Sequence, residues 1–246
     1  MMHRLVLVGL GVLLAATSAS AASFDLAGDW STAANPNGPW TYRQDGSALT
    51  GIVNPWSGLN EPVWATPNGP LLPAWFKAVN TGSADCGSCD WLVGDVVTHT
   101  WDSSSGGANG LSNVIWTNTG GSAVLATVTG DVWDARHQFP DRLNDWALYW
   151  SGDLVNPLAS GSLLDTNDRN NRQTYGPSPV LVQPGEYIEL LVTKTATSPF
   201  GDFVGTNFHV ETEVAALAVP EPATLLILLV SGLAAAGGLG RKRRQP

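Results

Sequence analysis

Charged side chains are scarce in this chain of 246 residues, where Asp, Glu, Lys and Arg together make up 13%, against roughly 25% in average soluble domains. Residues that favour helices are also few, whereas 27 glycines and 16 prolines interrupt the sequence. This balance favours strands joined by turns over helices. Hydrophobic residues make up 43% of the chain, enough for a core, so the composition argues against disorder.

Basic residues are sparse between the two ends of the chain. Only seven of the 12 Lys and Arg lie there, together with all 21 acidic residues, which run from Asp25 to Glu221 and give this region a net charge of −14. Such a field repels phosphate backbones, so nucleic acid is excluded as a partner. Cations or neutral polar ligands suit it better.

Cysteine is limited to Cys86 and Cys89, spaced as Cys-Gly-Ser-Cys. A redox-active C-x-x-C pair needs a lowered thiol pKa, usually at the start of a helix. Here Asp85 and Asp90 flank the pair, which raises the thiol pKa, and the surrounding sequence indicates loop and strand. We therefore predict a structural disulfide that closes a small loop, as an exported protein allows.

Sequence motifs for catalysis and for cofactor binding are missing: the chain has no Gly-x-Ser-x-Gly elbow, no His-Glu-x-x-His pair and no phosphate-binding glycine loop. We predict no cofactor and no catalytic residues. Asp165, Asn167 and Asp168 offer oxygen ligands at loop spacing and form a candidate calcium site, although Arg169 takes the next ligand position. Two carboxylates suffice for a glycosidase, so a polysaccharide hydrolase stays open as an alternative.

The N-terminal residues 1–22 have the three parts of a secretory signal peptide. His3 and Arg4 form a basic start, residues 5–16 are apolar, and Ala-Ser-Ala at 19–21 supplies small side chains for signal peptidase. The apolar stretch is short for a membrane span. We therefore predict that signal peptidase removes this segment.

The C-terminal end has a different pattern. Residues 223–240 form an uncharged apolar run, near the lower length limit for a transmembrane helix. A basic tail at 241–246 follows and, by the positive-inside rule, would stay in the cytoplasm while the preceding chain lies outside. The cations of this tail are Arg241, Lys242, Arg243 and Arg244.

A proline-bounded motif precedes the apolar run, where Val219, Pro220, Glu221 and Pro222 hold the chain extended. The order Pro-Glu-Pro, apolar helix and Arg-rich end, over residues 219–246, closely resembles the PEP-CTERM sorting signal of Gram-negative bacteria. The resemblance implies processing by a membrane protease, the exosortase, followed by a place on the cell surface or in the extracellular matrix. It implies no particular activity, because the signal occurs on many unrelated ectodomains.

Residues 23–218 are predicted to form one ectodomain. Short apolar segments alternate with polar residues at period two, which indicates antiparallel sheets with one solvated face. We predict an all-β, two-sheet sandwich, jelly-roll-like, with a loop-rich, proline-rich N-terminal third between Asp25 and Pro73. The predicted strands lie at 92–99, 113–117, 123–132, 146–151, 187–193 and 203–210.

The ectodomain sequence also resembles a type that recurs among PEP-CTERM proteins. The resemblance lies in residues 24–42, 94–99, 144–146 and 201–205. It implies a jelly-roll-like extracellular domain and adds no activity.

Tryptophan is the most distinctive residue, with all 11 copies between Trp30 and Trp150. Indole rings stack on sugar rings, so exposed tryptophans beside polar residues suit carbohydrate recognition. Four lie beside turns and are predicted to be exposed candidates for glycan stacking: Trp40, Trp56, Trp64 and Trp101. Trp116 and Trp133 lie in alternating strands and are predicted to pack in the interior.

These observations favour an exported, non-catalytic envelope or matrix protein that binds glycan, with exopolysaccharide as the ligand. Two alternatives remain open from the sequence. One is a secreted polysaccharide hydrolase, and the other is a purely structural surface protein without a ligand.

Overall fold

The computed structural model describes residues 21–56, 59–66, 72–101, 111–136, 138–195 and 200–214. Within these ranges the chain forms fourteen β-strands and one short helix, which confirms the all-β prediction. In chain order the elements are β1 (Ala22–Asp25), β2 (Trp40–Gln44), β3 (Ser47–Ala48), β4 (Gly51–Val53), β5 (Val63–Ala65), β6 (Ala74–Lys77), α1 (Gly82–Asp85), β7 (Val96–His99), β8 (Ser112–Thr117), β9 (Val124–Asp134), β10 (Asn144–Trp150), β11 (Ala159–Leu163), β12 (Gln173–Val182), β13 (Tyr187–Lys194) and β14 (Phe203–Val214).

The described strands form two antiparallel sheets. The six-stranded sheet has the order β11-β10-β13-β8-β2-β3. The eight-stranded sheet has the order β12-β9-β14-β7-β6-β5-β4, and β1 pairs with β14 beside that path. The two sheets share one apolar cluster, so they form a sandwich as predicted.

Alternating residues of the two sheets fill the space between them. Ile188, Leu190 and Val192 of β13 are buried there, as the period-two pattern predicts, and they share the cluster with Phe208 and Val210 of β14. All six segments predicted from the sequence contain a strand, as β7, β8, β9, β10, β13 and β14. The prediction of 92–99 is too long, because β7 begins at Val96 and residues 93–94 form a turn. The structure adds β11 and β12.

The N-terminal third, which we predict to hold irregular edge strands and long loops, does supply edge strands to both sheets. Strands β2 and β3 form one edge of the six-stranded sheet, and β4, β5 and β6 form one edge of the eight-stranded sheet. Strand β1 pairs with residues 209–212 of β14, so that Ala22 lies opposite Thr212. Prolines interrupt this third often, which is why its strands are only two to five residues long.

A second apolar cluster covers the other face of the eight-stranded sheet. Neighbouring residues of β6 point to opposite sides, so that Trp75 belongs to the first cluster and Phe76 to the second. The segment that contains α1 packs over this second face through Trp91, whose ring lies 5.3 Å from that of Phe76. This sheet is therefore buried on both faces here, and its strands are apolar on both sides.

The ring of Trp133 in the second cluster lies against Gly205, its cross-strand partner in β14. A Cβ atom on Gly205 would be 2.1 Å from Trp133 ring atoms, and Arg172 stacks at 4.4 Å from the ring centroid. Trp133 is fully buried, so its ring has little room to shift. The absence of a side chain at position 205 is thus a packing requirement.

We predict that Gly205→Ala lowers the free energy of unfolding by about 1–3 kcal/mol, the usual cost of overpacking. Gly121→Ala is the matched control, because a Cβ there would meet no atom within 4 Å. Urea unfolding followed by tryptophan fluorescence measures both variants. Equal stability of the two variants would contradict the packing requirement.

Candidate functional site

Three of the four tryptophans predicted to be exposed are buried, so this part of the prediction is wrong. Trp40, Trp56 and Trp64 are 0%, 3% and 5% exposed. Trp40 Nε1 donates to the Asp29 carboxylate at 3.0 Å, and Trp64 Nε1 donates to the Ser31 carbonyl at 2.8 Å. These rings are fixed in the interior and present no face to a ligand.

Their burial follows from the sheet extensions of the N-terminal third. Trp40 lies in β2 and Trp64 in β5, where both side chains point into the space between the sheets. Trp56 lies in the second cluster, 5.5 Å from the ring of His99. A nearby proline indicates a turn, but it does not tell which side of the next strand meets solvent.

Trp101, the fourth candidate, is half-buried. The Lys194 ammonium lies 5.5 Å from its ring centroid, within cation–π range. Glycan stacking by Trp101 stays a prediction. Trp116 and Trp133 are 2% and 0% exposed, which confirms their predicted packing role.

The two cysteines lie in a packed corner of the second cluster. Cys86 and Cys89 are joined by a disulfide, with Cα atoms 5.7 Å apart. A Cβ atom on Gly82 of α1 would be 2.6 Å from the backbone of Cys89. The geometry suits a loop closure that holds Trp91 over the sheet, rather than a thiol that is presented to a substrate.

The candidate calcium ligands take part in turn hydrogen bonds. Asn167 Oδ1 accepts from the N–H of Leu164 at 2.9 Å, and Asp168 Oδ1 accepts from the N–H of Asn170 at 2.8 Å. Asp165 contributes a buried carboxylate oxygen with no hydrogen-bond partner among the described residues. Over the same part of the chain, no group of three or more His, Cys, Asp or Glu side chains converges on a metal position. These bonds give calcium no support.

A buried polar cluster lies at the end of the sandwich where β14 begins. The Asp202 N–H donates to Thr100 Oγ1 at 3.0 Å, and that hydroxyl donates to Asn144 Oδ1 at 2.9 Å. Burial, and next the charge of Asp134, raise the pKa of Asp202 well above its usual range. Asp202 and Asp134 are 0% and 2% exposed, so this pair of acids is out of reach of a polymer substrate.

Glu61 is a second buried acid with a structural task. Its carboxylate accepts the N–H groups of Val79 and Asn80 at 2.8 Å and 3.0 Å. Burial is the main cause that raises its pKa, and the neighbouring Asp85 raises it further. Glu61 is fully buried, so it holds the chain that follows β6 and does not meet a ligand.

The outer face of the six-stranded sheet carries an open depression of about 380 Å³, within the usual 300–1,000 Å³ range of ligand sites. Its position follows from the strand register of β10. Asp145 lies between Ser162 of β11 and Thr193 of β13, and one pleat further Ala147 lies between Ser160 and Leu191. The small side chain of Ala147 leaves the depression between larger neighbours. Tyr149 stands on the next pleat and also lines it.

The side chains around this depression combine one aromatic ring with neutral and acidic oxygens. Ser162 Oγ donates to Asp145 Oδ1 at 2.5 Å, which orients that carboxylate. Tyr149 is half-buried, with its ring at the surface of the sheet. The sequence analysis missed these residues, although the alternation of β10, with Trp146 and Leu148 inward, would have placed Tyr149 on the outer face.

The two strand acids on this face lie farther apart than the acid pair of a glycosidase. A glycosidase needs two carboxyl groups about 5–9.5 Å apart. The acids of β10 and β13 on this face are Asp145 and Glu189, which lie at register positions four residues apart, or about 13 Å along the strands. Glu189 also accepts a hydrogen bond from the side chain of Asn113.

Comparison with protein families gives one match, to the PEP-CTERM protein-sorting motif over residues 218–244. The chain therefore carries this motif at its C-terminus, which marks it as an exported, exosortase-processed cell-surface protein. No curated protein matches the chain. No helix in the described residues is long and apolar enough to cross a membrane. The predicted helix at 223–240 and the sorting residues lie outside those residues, as do positions 1–20 of the predicted signal peptide.

Two solved adhesin domains resemble the described fold at low identity. The K3 cleaved adhesin domain of Lys-gingipain from Porphyromonas gingivalis w83 is 15% identical, covers 78% of this chain and 99% of its own, and has a TM-score of 0.32. The K2 cleaved adhesin domain of Lys-gingipain is 16% identical, covers 78% of this chain and 97% of its own, and has a TM-score of 0.28.

We predict that Asp202→Asn changes the pH dependence of stability. The folded state holds the Asp202 proton more tightly than the unfolded chain does. The free energy of unfolding of the wild type therefore falls as pH rises above about 4, where Asp in the unfolded chain loses its proton. This one group lowers it by at most about 1.4 kcal/mol per pH unit. Asn stays neutral and removes this fall. Thermal unfolding between pH 5 and pH 9 measures it, with Asp141→Asn as the control. Parallel profiles for wild type and Asp202→Asn would contradict a protonated Asp202.

Proposed function

We propose that this exported, exosortase-processed surface protein is a non-catalytic glycan-binding protein of the cell envelope or extracellular matrix, and that the depression on the outer face of the six-stranded sheet is its binding site. The observation that carries the proposal is the ring of Tyr149 at one end of that depression with the carboxylate of Asp145 at the other. The ligand that fits is a polysaccharide that the cell itself produces.

An aromatic ring beside oriented oxygens is the combination that sugars require. The ring covers the C–H face of a pyranose, while carboxylate and hydroxyl oxygens accept and donate hydrogen bonds at its rim. One such stacking contact contributes on the order of 1 kcal/mol, so one depression alone gives weak binding. A polymer compensates by engaging many copies of the protein on one surface, which raises the overall strength of attachment.

The separation of Asp145 and Glu189 supports binding over hydrolysis on this face. The two alternatives from the sequence, a polysaccharide hydrolase and a purely structural surface protein, become outcomes of the binding experiment below. For the whole chain, we propose a signal peptide at 1–22, a jelly-roll-like ectodomain at 23–218 and a sorting segment at 219–246. The helix at 223–240 then anchors the chain in the membrane until the exosortase acts.

We predict that Tyr149→Ala weakens retention on the host's own exopolysaccharide about fivefold, the effect of losing one stacking contact of about 1 kcal/mol. Affinity electrophoresis of the processed protein measures retention, and thermal unfolding checks that both forms are folded. Tyr187→Ala is the matched control, because Tyr187 lies on the same sheet face but does not line the depression.

Several results would count against the proposal. Equal losses in Tyr149→Ala and Tyr187→Ala would mean that the depression is not the site. No retention of the wild-type protein at low salt would favour a purely structural role. Release of new reducing ends from the polymer would establish a hydrolase instead.

We predict that the mature protein lacks both ends of the chain. Mass spectrometry of the protein from its native host should show an N-terminus near Ala22 and a C-terminus near Pro220, Glu221 and Pro222. As a control, Glu221→Ala should leave more of the chain unprocessed in the membrane fraction. Recovery of an intact Arg241–Arg244 tail from the extracellular fraction would contradict exosortase processing.

A further inference from the structure

Two arginines share one aromatic ring in the loop that joins β9 to β10. The guanidinium carbon of Arg136 lies 4.3 Å from the centroid of Phe139, and that of Arg142 lies 4.5 Å from the same centroid. Arg142 also lies 4.9 Å from the ring centroid of Phe200. Two cations held on one ring form a local positive site in a region whose net charge is strongly negative.

Two other arginines of the described chain pair with carboxylates, whereas Arg43 donates to the carbonyl of Gly46. Arg169 pairs with Asp95, and Arg172 pairs with Asp131. Arg136 and Arg142 make no carboxylate ion pair within the described residues, although the region contains three times as many acids as bases. Like charges placed side by side repel each other, which lowers the pKa of Arg136 after the main effect of burial.

Most hydrogen-bond donors of this arginine pair are not used by the part of the chain that the structure describes. Arg136 Nε donates to Ser88 Oγ at 3.2 Å, and Arg142 Nη1 donates to the Gly201 carbonyl at 3.3 Å. Each guanidinium has five N–H donors in a planar fork that fits a carboxylate. Both side chains are half-buried, so they are held in place yet open to solvent.

Two buried acids, Asp134 and Asp202, lie near the pair. Asp134 Oδ1 accepts the backbone N–H of Arg136 at 2.9 Å, and neither acid forms an ion pair with the two guanidinium groups among the described residues. Asp202 acts on Arg136 and Arg142 through its charge only in its ionised form, and its raised pKa keeps it protonated at neutral pH. Its side chain is also fully buried. A carboxylate that approaches from solvent therefore meets two guanidinium groups that form no ion pair within the described residues.

We propose that Arg136 and Arg142 bind the carboxylate of an acidic sugar residue in a polysaccharide, with Phe200 as an apolar surface beside it. Phe200 is 43% exposed and adjoins Arg142, so an aromatic face and a guanidinium fork stand next to each other. The fork accepts the carboxylate in a bidentate manner, and the ring covers the C–H face of the same or the next sugar.

This inference rests on the proposed function in that the ligand is a polysaccharide, and it adds the chemical class of that polymer. The arginine pair is a different set of residues from the depression around Ala147. Salt screens charges beyond about 8–10 Å, so the negative field of the whole protein does not prevent contact of an acidic polymer with this local site.

The test uses the full chain, produced in an exosortase-containing host and recovered in processed form. The probes are polygalacturonate and its carboxyl-reduced form, in which each carboxylate is a neutral alcohol, compared by affinity electrophoresis at 0.1 M salt. We expect wild type to be retained more strongly by polygalacturonate. Arg142→Gln should lose about tenfold in that retention, as for the loss of one charge-assisted hydrogen bond.

Arg43→Gln is the charge-matched control and should stay within about twofold of wild type, because the change in overall net charge is the same. The Arg43 guanidinium donates to the Gly46 carbonyl and belongs neither to the arginine pair nor to the depression. Arg142→Lys keeps the charge without the fork and should lie between wild type and Arg142→Gln. Thermal unfolding shows whether each variant is folded.

Equal losses in Arg142→Gln and Arg43→Gln would overturn the assignment, since net charge would then explain the binding. Equal retention of the wild type on the two polymers would also overturn the assignment of the arginine pair. In that case, weaker retention of Tyr149→Ala on either polymer would still support the proposed function. Competition by inorganic phosphate as effective as by monomeric galacturonate would contradict a site for sugar acids.

Discussion

Burial of the eight-stranded sheet on both faces at β5, β6 and β7 decides which surfaces in this part of the protein meet solvent. One face packs against the six-stranded sheet, and the segment with α1 and the disulfide covers much of the other. Tryptophans fill both layers, because a large ring removes much apolar area from water in a chain that has few charged groups. Two solvated sheet surfaces with an alternating pattern are left: the outer face of the six-stranded sheet, and the outer face of β12, β9, β14 and β1 in the eight-stranded sheet.

Strands were predicted correctly from the sequence where one face of the strand is buried and the other is exposed to solvent. In β13, the inward set Ile188, Leu190 and Val192 alternates with Glu189 and Thr193, and such strands were predictable. Strand β12 escaped prediction because Pro177 and Pro179 interrupt it, with a register irregularity beside them. Strand β11, Ala-Ser-Gly-Ser-Leu, has too few apolar residues to show a period.

The tryptophan assignments failed for a different reason. Burial of Trp56 depends on contacts with His99 and Phe203, which are distant in the sequence. The local sequence indicates that a tryptophan is near a turn. Its burial, however, depends on an element that comes from a distant part of the chain. The depression was unpredictable in the same way, because Asp145, Ser162 and Thr193 meet only through the pairing of three strands.

Several acids of this chain belong to its turns. Asp45, Asp153 and Asp168 each accept backbone N–H groups of neighbouring loop segments, which is the ordinary structural use of Asp in turns. A carboxylate used in this way satisfies the backbone and needs no ligand. The negative charge of these three residues is therefore explained by loop construction.

Asp145 differs from these turn acids in both its place and its partner. It lies within a strand, on the outer face, and the hydrogen bond given to it comes from the side chain of Ser162. Strands disfavour Asp, and no turn requires it at this position. The carboxylate of Asp145 lies on the outer face of the sheet, where it adds nothing to the packing of the core. It therefore lowers the stability of the strand without a gain in packing. That cost is understandable if the carboxylate serves a ligand, and the proposed binding face accounts for it.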